Sequence, residues 1–156
     1  MTATSYVPPI SVILANDRER YTRGLGRFRQ GSIATWIERF AAAAAQASEL
    51  ASGYLGEVHN LLDEWRRWLR GGANPRSDAA AWAVIEVLPA HPVITSPVAA
   101  AATGRAKAAV HQAIKQLAEC GVLEPVSESK RNRSWEAAGL LELLEGLETG
   151  RPATSN

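Results

Sequence analysis

The stretch from Ala81 to Glu136 constrains the fold most, because glycines and prolines divide it into short helices and a hairpin. Ser96-Pro97 is typical of a helix start, since the serine hydroxyl accepts a free backbone N–H and proline has none to satisfy. Gly104 supplies the backbone freedom for a sharp turn into a second helix, which ends at Gly121. This order predicts a helix-turn-helix.

The second of these helices has one apolar and one polar side. Its apolar residues recur at spacings of three and four, which places them on one buried face. They are Val110, Ala113, Ile114 and Leu117. The opposite face is where a recognition helix presents side chains to the major groove of DNA. The predicted DNA contacts are Arg105, Lys107, His111, Gln112 and Lys115.

A charged hairpin follows Gly121. Residues 122–126 and 134–137 are predicted strands, and the polar tip between them carries Lys130, Arg131 and Arg133. These cations suit contact with phosphates beside a groove, which supplies affinity without reading sequence. Alternatively, a basic tip keeps an exposed β-ribbon soluble and unpaired. With a first helix at residues 78–88 and a closing helix at 138–147, the pattern predicts a winged helix-turn-helix.

Two helices are predicted upstream. One covers residues 10–30 and stops at Gly31, and a second continues from residue 33 to residue 69 before Gly71-Gly72 ends it. The second helix has an apolar stripe along nearly its whole length, which needs a partner. That partner is either the first helix folded back or a surface outside the chain. The predicted fold class is therefore mainly α: a helical hairpin or long helix, then a winged helix-turn-helix with a small two-stranded β-wing.

The segment RGGANPRSD marks the clearest boundary in the chain. We predict a helical region at residues 1–72, a linker at 73–76, the winged helix-turn-helix domain at 77–148 and a disordered tail at 149–156. A chain of 156 residues that is 46% hydrophobic has room for one ordinary domain or two small ones.

The charge distribution says more than the net charge of +1. Residues 105–133 contain six Lys or Arg against three Glu, whereas residues 134–156 contain four Glu against one Arg. Positive charge is thus gathered, weakly, where a winged helix would use it. We expect modest DNA affinity or reliance on a homo-oligomer.

The remaining composition favours a cytoplasmic protein without a membrane partner. No apolar run approaches the length that spans a bilayer, and no signal peptide is evident. The single cysteine, Cys120, cannot form an internal disulfide, which fits a reducing compartment. His59, His91 and His111 lack the spacing of metal ligands, and no phosphate-binding loop of the Walker type is present. We predict no catalytic residues, no cofactor and no metal.

Two longer passages resemble a known family. The text PPISVILANDRERYTRGLGRFRQGSIATWIERF, followed by an alanine-rich helix ending in EWRRWL, resembles the part of Fic-family proteins that follows their catalytic motif. The resemblance continues through AAAWAVIEVLPAHPVITSPVAAAATGRAKAAVHQAIKQLAECGVLEP and the wing SKRNRSWEA to about Leu147. It implies a C-terminal accessory region whose winged helix is used for DNA binding or regulation.

The resemblance does not extend to catalysis. Fic enzymes transfer AMP or a related phosphate-containing group to a hydroxyl of a target protein, with a loop of the form His-Pro-Phe, two variable residues and Gly-Asn-Gly-Arg. The histidine acts as general base, and the glycine-rich helix start holds the phosphates. This chain has no such loop, since Val93 follows His91-Pro92. No catalytic residue carries over, and we predict that the chain alone is not an enzyme.

Two other functions stay open. The helices could form a protein-interaction or dimerisation scaffold that complements a separate Fic catalytic half, or the chain could be a free-standing winged-helix transcriptional regulator. The partners implied by these hypotheses are double-stranded DNA, a second copy of the chain and a Fic catalytic domain.

Overall fold

The computed structural model is mainly helical with a small antiparallel sheet, and it describes residues 33–126 and 133–149 together with residues 13, 19, 22, 23, 25 and 26. The predicted first helix at residues 10–30 lies largely outside the described residues, as do most of the tail and of the hairpin tip. The described residues divide into two compact units, one of which is Glu57–Leu143. The predicted domain boundaries stay predictions.

The long helix, α1, covers Ile33–Gly71 and confirms the predicted bounds to within two residues. Before Glu57, the buried side chains of α1 are small and recur every four residues, at Ala43, Ala47 and Ala51. Larger apolar side chains near its start stay exposed: Ile33, Ile37 and Phe40. The rings of Trp36 and Phe40 stack with centroids 5.4 Å apart.

Short elements follow α1 in close succession. Helix α2 (Ala80–Val87) passes into a single turn of 3-10 helix (Leu88–Ala90), and strand β1 (Val93–Thr95) leads into helix α3 (Ser96–Thr103). Helix α4 (Lys107–Glu119), strands β2 (Leu123–Pro125) and β3 (Ser134–Ala137), and helix α5 (Leu140–Glu148) complete the order. The predicted strands and closing helix are confirmed within two residues at each end.

The sheet has three strands, which corrects the predicted two-stranded wing. Its order is β1-β3-β2, and both pairings are antiparallel. Ile94 of β1 lies opposite Trp135 of β3, and Leu123 of β2 lies opposite Ala137 of β3. Strand β1 was not predicted, because it has only three residues, lies between Pro92 and Pro97, and depends on pairing with a distant strand. Its one local signal is the run of β-branched residues Val-Ile-Thr.

The core of the Glu57–Leu143 unit joins side chains from most of its elements. The predicted apolar face of α4 is confirmed, since Val110, Ala113, Ile114 and Leu117 are all buried. Trp65 and Leu69, near the end of α1, are fully buried as well. The Trp65 indole donates a hydrogen bond from Nε1 to the carbonyl oxygen of Ala138, at 3.1 Å. The last turns of α1 therefore belong to the same core as α4. This core covers the C-terminal part of the apolar stripe that the sequence predicts on α1.

Two arginines near the end of α1 contact α2. The Arg66 guanidinium lies 2.7 Å from Glu86 of α2 and 2.6 Å from Asp63 of its own helix. The hydrogen bonds that Arg66 donates to Glu86, and then the one to Asp63, raise the pKa of Arg66 above its usual value. The Arg70 guanidinium lies over the Trp82 ring, 5.6 Å from its centroid.

Helix α3 ends as the sequence predicts but begins differently. Gly104 takes the left-handed conformation, with φ of 65°, as the predicted turn requires. The N-cap of α3 is Thr95, whose hydroxyl accepts the N–H of Val98, so the assignment of Ser96 as the cap was wrong by one residue. Ser96 is instead the first residue of the helix, and Pro97 follows it there.

Candidate nucleic-acid interface

The candidate interface is built on α4, whose orientation is fixed by its buried face and by the turn before it. The Thr103 hydroxyl donates to the carbonyl oxygen of Ala99 at 2.7 Å and accepts the N–H of Arg105 at 3.3 Å. This closes the end of α3 and starts α4 in a defined direction. Ala106 occupies the N-cap position of α4 without a side-chain cap.

The polar face of α4 is exposed as predicted. All five residues predicted to contact DNA here are exposed: Arg105 just before the helix, and Lys107, His111, Gln112 and Lys115 on it. The helix therefore presents cationic and hydrogen-bonding groups outward while its apolar face fills the core.

A groove on one flank of α4 brings three predicted site residues together. This strand-side groove is lined by His111 and Lys115 of α4, by Arg133 and Trp135 at the start of β3, and by Ser96 and Pro97 at the start of α3. Arg133 is exposed at the end of the sheet. Lys130 and Arg131, the other predicted contacts of the hairpin tip, lie outside the described residues.

A second groove lies on the other flank of α4. This loop-side groove is lined by Arg105, by Gln112 and Gln116 of α4, and by Pro75, Arg76 and Asp78 of the loop before α2. It contains Arg76, which the sequence analysis did not select. No local pattern marks Arg76, because only the tertiary fold brings the loop beside α4. Lys107 lines neither groove.

The cations of the interface differ in how far they are neutralised. Lys115 Nζ lies 3.8 Å from the Glu119 carboxylate, and both side chains are mostly exposed, so the pair is weak. Among the described residues, no carboxylate lies within 4.0 Å of the charged groups of Arg105 or Lys107. These two cations are therefore available to an anionic partner.

The described part of the chain contains no group of three or more His, Cys, Asp or Glu side chains placed to hold a metal ion. Within the same residues, every helix is too short or too polar to cross a membrane.

The polar face of α4 projects between two grooves, each of which contains at least one arginine. This arrangement can place hydrogen-bonding groups on base edges and cations on the phosphates beside them.

No protein-family model matches the chain, and no curated protein matches it significantly.

Proposed function

We propose that the unit Glu57–Leu143 is a winged helix-turn-helix that binds double-stranded DNA with α4 in the major groove. The observation that carries the proposal is the exposed polar face of α4 beside Arg133, which faces the same groove as His111 and Lys115. The succession of α2, β1, α3, α4 and the β2–β3 hairpin follows the order of such a domain.

The dimensions of α4 suit this role. An α-helix with its side chains is about 10–12 Å wide, and the major groove of B-DNA is about 12 Å wide. The 13 residues of α4 make about three and a half turns, enough to lie along the groove. Gln112 suits the edge of an adenine, and Lys115 suits a guanine or a nearby phosphate.

The charge of the interface sets the expected strength. The basic patch is small and Lys115 is partly neutralised by Glu119. We therefore expect affinity near that of non-specific complexes, with a dissociation constant of roughly 10⁻⁶ M, unless two copies bind together.

The proposal is tested with the variant Lys107→Ala/Lys115→Ala. Fluorescence anisotropy with a labelled random-sequence duplex, at about 50 mM and about 200 mM salt, measures affinity and its salt dependence. The parent protein is expected to bind more weakly at the higher salt. The double variant is expected to lose about tenfold in affinity, and the slope of log K against log salt to fall by about two.

Arg67→Ala is the matched control. Arg67 is an exposed cation of the same compact unit that lines neither groove beside α4. Its loss removes one positive charge and is expected to leave binding within about twofold of the parent. Equal binding by the parent and the double variant would contradict the placement of α4 in the groove.

We also propose, from the sequence resemblance, that the chain is the non-catalytic C-terminal accessory region of a Fic-family protein. The long helix Ile33–Gly71, followed by the loop and the α3–α4 pair, is the order of elements that this resemblance implies. The isolated chain is expected to transfer no AMP from labelled ATP to protein. A His-Pro-Phe and Gly-Asn-Gly-Arg loop encoded in frame directly upstream would support this proposal over a free-standing regulator.

A further inference from the structure

The loop before α2 holds Arg76 in a fixed position. Its carbonyl oxygen accepts two hydrogen bonds, one from the Trp82 indole Nε1 and one from the Ala79 N–H, each at 3.0 Å. The Trp82 ring is itself covered by the Arg70 guanidinium. The backbone of Arg76 is therefore anchored to α2.

The side chain of Arg76, in contrast, is almost entirely free of the fold. It is 90% exposed, and its guanidinium lies 3.6 Å from the carboxylate of Asp78, which is 72% exposed. An ion pair so exposed contributes little to stability, since solvent screens it. The guanidinium can therefore leave Asp78 for a phosphate at small cost.

Arg76 shares the loop-side groove with Arg105 and with Gln112 of α4. The strand-side groove, which contains Arg133, is lined by His111, Ile114, Lys115 and Ala118 of α4. Those residues and the α4 residues of the loop-side groove lie on opposite sides of the helix, given 100° per residue. Arginines thus flank α4 on both sides.

The major groove has a phosphate backbone along each of its two edges. A helix placed in it meets phosphates on both flanks, and contacts there fix its position and orientation. The strand-side arginine serves one edge, and the other edge requires cations on the loop side.

We propose that Arg76 and Arg105 form a phosphate-binding pair that holds the DNA backbone on the loop-side flank of α4. This inference rests on the proposed DNA binding by α4. It adds a residue of the inter-element loop to the interface, and it assigns Asp78 the role of an intramolecular competitor for the guanidinium of Arg76.

The test compares Arg76→Ala, Asp78→Asn and the control Arg67→Ala in the full chain, again with random-sequence duplex. Arg76→Ala is expected to weaken binding about threefold to tenfold and to lower the salt slope by about one. Asp78→Asn is expected to strengthen binding about threefold, because it removes a competing carboxylate. Arg67→Ala is expected to match the parent.

Thermal unfolding, followed by circular dichroism, distinguishes the loss of a phosphate contact from a loss of folding. Arg76 supports the fold through its carbonyl oxygen, which alanine retains, so the melting temperature of Arg76→Ala is expected to stay that of the parent. If the parent binds DNA and Arg76→Ala keeps its affinity and salt slope, the phosphate-binding pair is wrong while α4 binding stands. If the parent shows no salt-dependent binding, both proposals are wrong.

Discussion

At the scale of single residues, Gly72, just after α1, packs against Cys120 at the end of α4. A Cβ atom added at Gly72 would lie 2.6 Å from Sγ of Cys120 and 3.7 Å from its Cβ. Cβ atoms essentially never lie so close to another atom, so a side chain at position 72 would require Sγ of Cys120 to move. Gly72 therefore does more than end a helix, since its lack of a side chain lets Cys120 approach the backbone.

Gly72→Ala is expected to destabilise the protein by about 1–3 kcal/mol, because a methyl group is forced into filled space. The measurement is chemical denaturation followed by tryptophan fluorescence. Cys120→Ala removes the sulfur atom that the methyl group meets, so the double variant is expected to recover most of the loss.

Gly71→Ala is the control for this pair. A Cβ at Gly71 meets nothing within 4 Å, and the residue is the last of α1, so this change is expected to be neutral or slightly stabilising. Equal destabilisation by the two glycine substitutions would show that contact with Cys120 is not the cause.

At the scale of elements, the end of α1 forms part of the core of the Glu57–Leu143 unit. Trp65 and Leu69 are buried there, and Trp65 also satisfies the carbonyl oxygen of Ala138 just before α5. The ion pair of Arg66 with Glu86 adds a second link, between α1 and α2. Because the pKa of Arg66 is raised, the stability that this adds is lost only as pH rises past the ordinary pKa of arginine, so this link does not weaken near neutral pH.

Trp65→Ala is expected to destabilise the unit by about 3–5 kcal/mol, because it leaves a large cavity and an unpaired carbonyl group. Trp68→Ala, on the same helix, is the matched control. Trp68 is 37% exposed and leaves a smaller cavity than Trp65, so we expect its loss to cost about 1–2 kcal/mol. Urea denaturation measures both, and equal losses would contradict a place for Trp65 in the core.

The helices and strands also differ in how well the sequence predicts them. Periodicity and glycine placement predict α1, the turn at Gly104 and the buried face of α4, because each depends on neighbours within a few residues. Strand β1 and the contact of Trp65 with Ala138 depend on pairs far apart in the chain, which a single sequence does not show. The candidate site divides in the same way: periodicity selects Gln112, whereas Arg76 joins it in the loop-side groove only through the fold.

At the scale of the whole molecule, the compact unit begins at Glu57, inside α1. A domain that began at residue 77 would lack Trp65, Leu69 and Arg66. Its core would be open, and the carbonyl oxygen of Ala138 would lose its indole partner.

A fragment of residues 57–149 is therefore expected to unfold cooperatively on heating, whereas a fragment of residues 77–149 is expected to lack a sharp transition. Differential scanning calorimetry distinguishes them, and near-ultraviolet circular dichroism reports whether the remaining aromatic side chains are fixed. A 77–149 fragment as stable as the longer one would show that the end of α1 is dispensable.

The three-stranded sheet has a further consequence, for aggregation. Its outer strands, β1 and β2, have three residues each, and β3 between them is paired on both sides. Pro125 has no N–H to offer along the edge of β2, and Pro92 comes directly before β1. Short strands and prolines prevent another chain from adding to a sheet edge. If copies of this chain associate, we therefore expect the contact to lie away from the edges of this sheet.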